Sequence, residues 1–272
     1  MQKPILIALA ILLFLPNLFN KDLHSSSQFS KKENFDPRLS TLKSLQALEL
    51  FADSIANSKN IQYNSFAYVE LLETIIKNRF YHGFSHFTLS ENWIAAVAGK
   101  WLKEDYACKV QPEKILQHNN AACSQQAIVL MALLRNKNIS YRSVGFPHHY
   151  AMEVLINKNW HFFDADMEPI ISEKERLLSS WSHQNDKLKK YYDPRRFSDL
   201  DFKFGTGLTA TTGSINEIPA FNATAFHIIT GILSKLLFLI PILLVFYAPF
   251  TFNFSSSPIR FKLKKETPSL AV

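Results

Sequence analysis

Residues 122–166 read ACSQQAIVLMALLRNKNISYRSVGFPHHYAMEVLINKNWHFFDAD, and the change of period inside this stretch decides the fold. Up to Arg135, the apolar residues Ile128, Leu130, Met131, Leu133 and Leu134 recur at helical spacing, which predicts a helix over 122–135. Asn136-Lys137-Asn138 ends it. Residues 139–146, 150–156 and 160–164 are then short runs of aromatic and branched side chains, the composition of strands. Asn157-Lys158-Asn159 separates the last two and reads as a hairpin turn.

Upstream of this stretch the pattern is helical. Ser40 is expected to cap a helix carrying Leu42, Leu45, Leu48 and Phe51. A second pattern over 65–79 carries Val69, Leu72, Ile75 and Ile76, and Ser90 is expected to cap a third with Trp93, Ile94, Val97 and Trp101. Residues 170–192 return to helical composition. Helices first and an antiparallel sheet after them predict an α+β domain over 40–204. Residues 21–39 are polar and Ser-rich and read as a linker. Residues 205–225, rich in Gly and Thr, read as a flexible linker.

The 272 residues are 47% hydrophobic with 23 Phe, too apolar for a disordered polymer. Two cysteines exclude a disulfide scaffold and any Cys-rich zinc module. Most of the net charge of +7 sits at the ends: residues 20–225 carry 24 Lys and Arg against 22 Asp and Glu. Basic residues beside apolar runs are topology signals rather than a phosphate-tracking groove, so no nucleic-acid partner is expected.

The apolar run 4–15 behind Lys3 reads as a signal peptide or an uncleaved signal anchor over 1–20. Residues 236–254 are free of charge, which predicts a transmembrane helix over 226–254 with Lys235 at the interface. A basic tail over 255–272, with Arg260, Lys262, Lys264 and Lys265, is expected in the cytoplasm. Lys3 puts the N-terminus on the same side, which leaves the domain extracytoplasmic. Lys21, Lys31 and Lys32 pull the other way. Membrane lipid is thus an expected partner of the terminal helices.

Cys123 opens the predicted helix, where unpaired N–H groups and the helix dipole favour thiolate. The same N–H groups suit a developing oxyanion. His149 opens one strand of the predicted hairpin and Asp164 closes the next. An imidazole there can take the thiol proton, and a carboxylate behind it can fix the tautomer. Taken singly, each residue has a bland reading: a small buried hydrophobe, a strand-edge histidine, a turn carboxylate. Their order as nucleophile, base and orienter points to chemistry.

On CSQQAIVLMALLRNKNISYRSVGF, HYAMEV and NWHFFDAD the chain resembles the transglutaminase-like superfamily of thiol enzymes, which share their mechanism with papain-type proteases. The resemblance rests on a Cys-led helix ending in Leu-Arg, a His four residues before Glu153, and Trp160 four residues before an Asp. It covers about residues 90–170. It implies that Cys123 is nucleophile, His149 base and acid, and Asp164 orienting carboxylate, within a transglutaminase-like or papain-like core. Tyr150, Ala151, Ala122 and Ala165-Asp166 depart from the family pattern and bear on substrate handling.

His148 and Asp166 compete for the same roles. The spacing to Glu153 selects His149, and the spacing to Trp160 selects Asp164. Arg142 and Trp160 read as scaffold. Cys108 is expected to be a free, half-buried thiol, although a disulfide with Cys123 would silence the nucleophile. His118 and His161 stand at no zinc-ligand spacing with either cysteine, and no acidic calcium loop is visible. No metal and no cofactor are therefore expected. The resemblance implies an enzyme that acts on amide bonds, peptide or isopeptide, through an acyl-thioester, and the apolar ends make it membrane-anchored. Hydrolysis is favoured over amine transfer, and the substrate is a protein or peptide. The alternative is a catalytically inactive module of the same fold that binds peptides or envelope partners.

Overall fold

The computed structural model describes residues 2–24, 29, 33–167, 169, 171–177, 185–193, 199–206 and 210–247. The elements run α1 (Gln2–Phe14), α2 (Leu45–Ser58), α3 (Phe66–Arg79), β1 (Tyr81–His82), α4 (Leu89–Trp101), α5 (Pro112–Ile115), β2 (Asn120–Ala121) and α6 (Cys123–Asn136). There follow β3 (Tyr141–Gly145), β4 (Tyr150–Ile156), β5 (Asn159–Phe163), α7 (Asn185–Lys189), α8 (Leu200–Phe204), β6 (Thr211–Thr212), α9 (Phe221–Leu236) and α10 (Leu239–Tyr247). The class is α+β: helices, then an antiparallel sheet of order β5-β4-β3-β6, with a short parallel pair β1-β2 beside them.

Helix α6 is the hub. Every residue from Gln125 to Leu134 is buried, the signature of a helix covered on all sides. On one side it packs with Val69, Leu72 and Ile76 of α3 and Leu48 and Ala52 of α2; on another it meets Met152, Val154 and Ile156 of β4. Fully burying a leucine such as Leu130 contributes about 1.5–3 kcal/mol, so this contact set anchors Cys123 at the helix start. The opposite face of the sheet is covered too: Val144, Ala151 and Phe162 pack with Leu188, Tyr192 and Phe204 of the later segments. The β4–β5 turn works as read, because Asn157 and Lys158 both take positive φ (50° and 65°), as a two-residue hairpin loop demands.

Several expectations are corrected at their boundaries. The cap of α2 is Ser44, whose side chain accepts from Ala47 N–H, because Asp36 and Pro37 first start a 3-10 turn over Pro37–Thr41. Thr88 rather than Ser90 starts α4, through a capping box with Glu91. Within 170–192 the described helix is α7 alone.

The larger correction concerns residues 205–225. Their described part is no free tether: β6 pairs antiparallel with β3. Asn216 closes two bonds with Tyr141, its N–H donating to Tyr141 O at 2.8 Å and its Oδ1 accepting from Tyr141 N–H at 3.0 Å. Helix α9 begins at Phe221 and docks on α4, where Asn92 donates to Thr230 Oγ1 at 2.9 Å and accepts from Ser234 Oγ at 3.0 Å.

Among the described residues no single helix is long and apolar enough to cross a membrane. Helices α9 and α10 meet such a test only as a pair, bent by 47°. Helix α1 lies against α10, and Phe14 meets Phe238, in the break before α10, edge to face at 5.0 Å. The expected end of the span, 248–254, and the basic tail 255–272 lie outside the described residues.

Candidate active site

Cys123 is the first residue of α6 and is partly exposed. Ahead of it, β2 is held against β1 in register His82↔Ala121. The helix mouth is therefore fixed from behind by the core and from the side by a strand pair. Gln125 ties the first turn down further: its Oε1 accepts from Ala122 N–H at 3.2 Å and from Ser85 N–H at 2.9 Å.

His149 directly precedes β4, and its carbonyl accepts from Phe146 N–H at 2.8 Å. Its ring is buried, and Nε2 lies 2.7 Å from Asp164 Oδ2. Nδ1 is the nitrogen left over; it is buried and closes no hydrogen bond of standard geometry among the described residues. The Cys123 thiol nevertheless lies near enough to act on the ring electrostatically. Burial alone would lower the His149 pKa; the Asp164 charge and hydrogen bond, with Cys123 adding to them, push it up to about 10 instead.

Asp164 is fully buried just past β5. Oδ2 also accepts from Tyr192 Oη at 2.8 Å, and Oδ1 accepts from the N–H groups of Asp166 (3.2 Å) and Met167 (3.1 Å). Four donors on two oxygens are the compensation a buried carboxylate requires. The Asp164 N–H in turn donates to Glu73 Oε1 at 2.6 Å. Glu73 is itself buried and paired with Arg176 Nη1 at 2.9 Å. Burial pushes the Glu73 pKa up to about 7, with Arg176 opposing.

Of the competitors, His148 stacks on Phe202 at 3.9 Å, turned away by the alternation of neighbouring residues. Asp166 joins a second pair: His82 Nδ1 lies 3.0 Å from its Oδ1, and Gln126 Nε2 donates to the same oxygen at 2.8 Å. The Asp166 charge and hydrogen bond raise the His82 pKa against burial, and Cys123 is close enough to add to the effect. Cys108 is a free, buried thiol, as is expected of a structural cysteine, and burial pushes its pKa up to about 12. Arg142 lies over the Trp160 ring at 4.4 Å and bonds Glu153 at 2.6 Å, a scaffold across β3 and β4.

Sequence reading finds Cys123, His149 and Asp164, and these converge. It misses His82, Tyr192, Glu73 and Arg176, which reach the site from distant segments and carry no local motif, and Gln126, which lies one turn along α6 from Cys123. The fold and the site thus define an α+β domain with a Cys–His–Asp cluster at the mouth of its central helix. Comparison with family models, with curated proteins and with solved structures finds no match to this chain.

Proposed function

We propose that this chain is a transglutaminase-like thiol enzyme that cleaves amide bonds, peptide or isopeptide, of a protein substrate. The observation that carries the reading is the buried 2.7 Å bond from His149 Nε2 to Asp164, which leaves Nδ1 for Cys123. Nδ1 takes the thiol proton, and Sγ attacks the carbonyl carbon. N–H groups of the first turn of α6 face the oxyanion that develops. The C–N bond breaks as Nδ1–H gives its proton to the leaving amine, and an acyl-thioester remains. Water then gives a proton to Nδ1 and attacks the acyl carbon; the C–S bond breaks and Sγ recovers the proton. Hydrolysis is the favoured outcome, because Cys123 is open to water.

The terminal helices hold the domain at a bilayer in this reading. Ile5, Leu12, Ile232, Leu243 and Leu244 are exposed large apolar side chains on α1, α9 and α10, a surface too apolar to face water. The bent α9–α10 pair is a broken span, with the domain extracytoplasmic and the basic tail in the cytoplasm.

The test is alkylation by iodoacetamide at pH 6, read by intact-protein mass. Cys123 is expected to react about tenfold faster than a free thiol, since the His149 ring and the N–H groups of the first turn of α6 assist the attacking sulfur. A rate equal to that of a free thiol overturns the reading and favours the inactive binding module.

A further inference from the structure

The loop that follows β1 carries His86, a buried ring with a carboxylate near each of its nitrogens. His86 is 3% exposed. Its Nε2 lies 3.1 Å from Glu104 Oε1. Its Nδ1 is buried, closes no hydrogen bond among the described residues, and lies 3.5 Å from Asp22 Oδ2. The buried ring thus stands between two carboxylates, Asp22 and Glu104. His24 stacks on the His86 ring at 4.3 Å between centroids, and its Nδ1 lies 3.3 Å from Asp22 Oδ1. Its Nε2 is likewise buried and without a hydrogen bond. One ligand atom from each of Asp22, His24 and His86 can be chosen so that all lie within 4.8 Å of one another.

We propose that Asp22, His24 and His86 form a binding site for a divalent cation of the zinc class, separate from the Cys123 site. Zinc–ligand distances of about 2.0 Å at the tetrahedral angle set ligand atoms about 3.3 Å apart, close to the 3.3 Å from His24 Nδ1 to Asp22 Oδ1 and the 3.5 Å from His86 Nδ1 to Asp22 Oδ2. Two imidazoles and one carboxylate suit zinc or its first-row neighbours, and the fourth position falls to water. Glu104 supplies the outer carboxylate that characteristically orients a ligating histidine. The segment is held ready by backbone bonds: Leu89 N–H donates to Lys21 O at 3.0 Å and Ser90 N–H to Phe19 O at 2.9 Å. The ion closes this docking, locking the chain that follows α1 onto the loop between β1 and α4.

The experiment titrates Zn2+ into the full-length chain, after dialysis against chelator, by calorimetry and by visible absorption of bound Co2+. It uses a Cys123→Ala background, so that the nucleophile is no competing ligand. One equivalent is expected to bind with a four-coordinate Co2+ spectrum. His24→Gln and His86→Gln are each expected to weaken binding at least tenfold, and Asp22→Asn decides where a histidine variant does not fold. The site is refuted by a full-length chain that binds no Zn2+ saturably, or by any folded variant that binds it as tightly as the parent.

Discussion

Two histidine–aspartate pairs flank one sulfur, and they differ in burial. His149 and Asp164 are both enclosed, with Tyr192 and two backbone N–H groups saturating the acid. His82 is 45% exposed while Asp166 behind it is 6% exposed. The bond lengths are similar, 2.7 and 3.0 Å. A buried pair is held in one geometry and feels a low dielectric, whereas an exposed ring is screened and exchanges with water. The difference teaches that two rings near one thiol are told apart by their enclosure and by how fully the acid behind each is satisfied.

The comparison is broken most completely by Cys123→Ala. This change is expected to remove fast alkylation altogether and to lower amide hydrolysis by about 10^3-fold or more, as read by mass and by amine release from a peptide library. The next effect is on stability. Glu73→Ala leaves buried Arg176 with only the longer 3.8 Å pair to Glu70 and removes the acceptor of the Asp164 N–H, at a cost of about 3–5 kcal/mol in urea unfolding. Asp166→Asn, on the exposed pair, is expected to cost about 1 kcal/mol or less. Equal losses would mean that enclosure does not separate the pairs.

His149→Gln is expected to slow iodoacetamide labelling at pH 6 about tenfold, to the rate of a free thiol. His82→Gln should change it by about threefold at most. The reverse order would move the base to His82. The smallest effect is on pH dependence. Because the His149 pKa is raised to about 10, its charged ring stabilises the native state fully below the unfolded value of about 6.5. That contribution is lost as pH rises through about 10. The urea midpoint should therefore fall between pH 6.5 and 10, and Asp164→Asn should flatten the fall. His82 contributes with the same sign, reduced by its exposure.

The elements nearest the site were legible because their signals are local. The apolar period of α6 and the alternation of β4 follow from burial on a helix and on a sheet. Asn157-Lys158 marks its turn because Asn and a short loop tolerate positive φ. The caps of α2 and α4 were misplaced because Ser40 and Ser90 lie near Ser44 and Thr88, and only hydrogen-bond geometry chooses between such neighbours. Residues 205–225 looked like a tether because Gly and Thr are common in linkers, yet Thr also suits an edge strand, and β3 offered an open edge.

At the site, Cys123, His149 and Asp164 stood out by order and spacing within one stretch of chain. Alternation left Asp164 and Asp166 on the same face. The chain separates them by turning at Ala165–Met167, where Asp164 Oδ1 collects the next N–H groups and Asp166 is carried off to His82. The Asp22, His24 and His86 cluster was invisible for a related reason: its members are split between an N-terminal segment and a loop beyond α3, and no ligand spacing links them.

By itself the amino-acid sequence determined the α+β order of elements, the helix that begins at Cys123, and the hairpin that brings His149 and Asp164 to one end. These depend on periodicity and on turns, which act between residues close in the chain. Tertiary structure alone decided that Glu73, Arg176 and Tyr192 enclose the acid, that His82 is a second and exposed ring, and that α9 docks on α4. Those contacts join segments far apart in the chain, and their free energy comes from burial and from satisfied polar groups that no local pattern encodes.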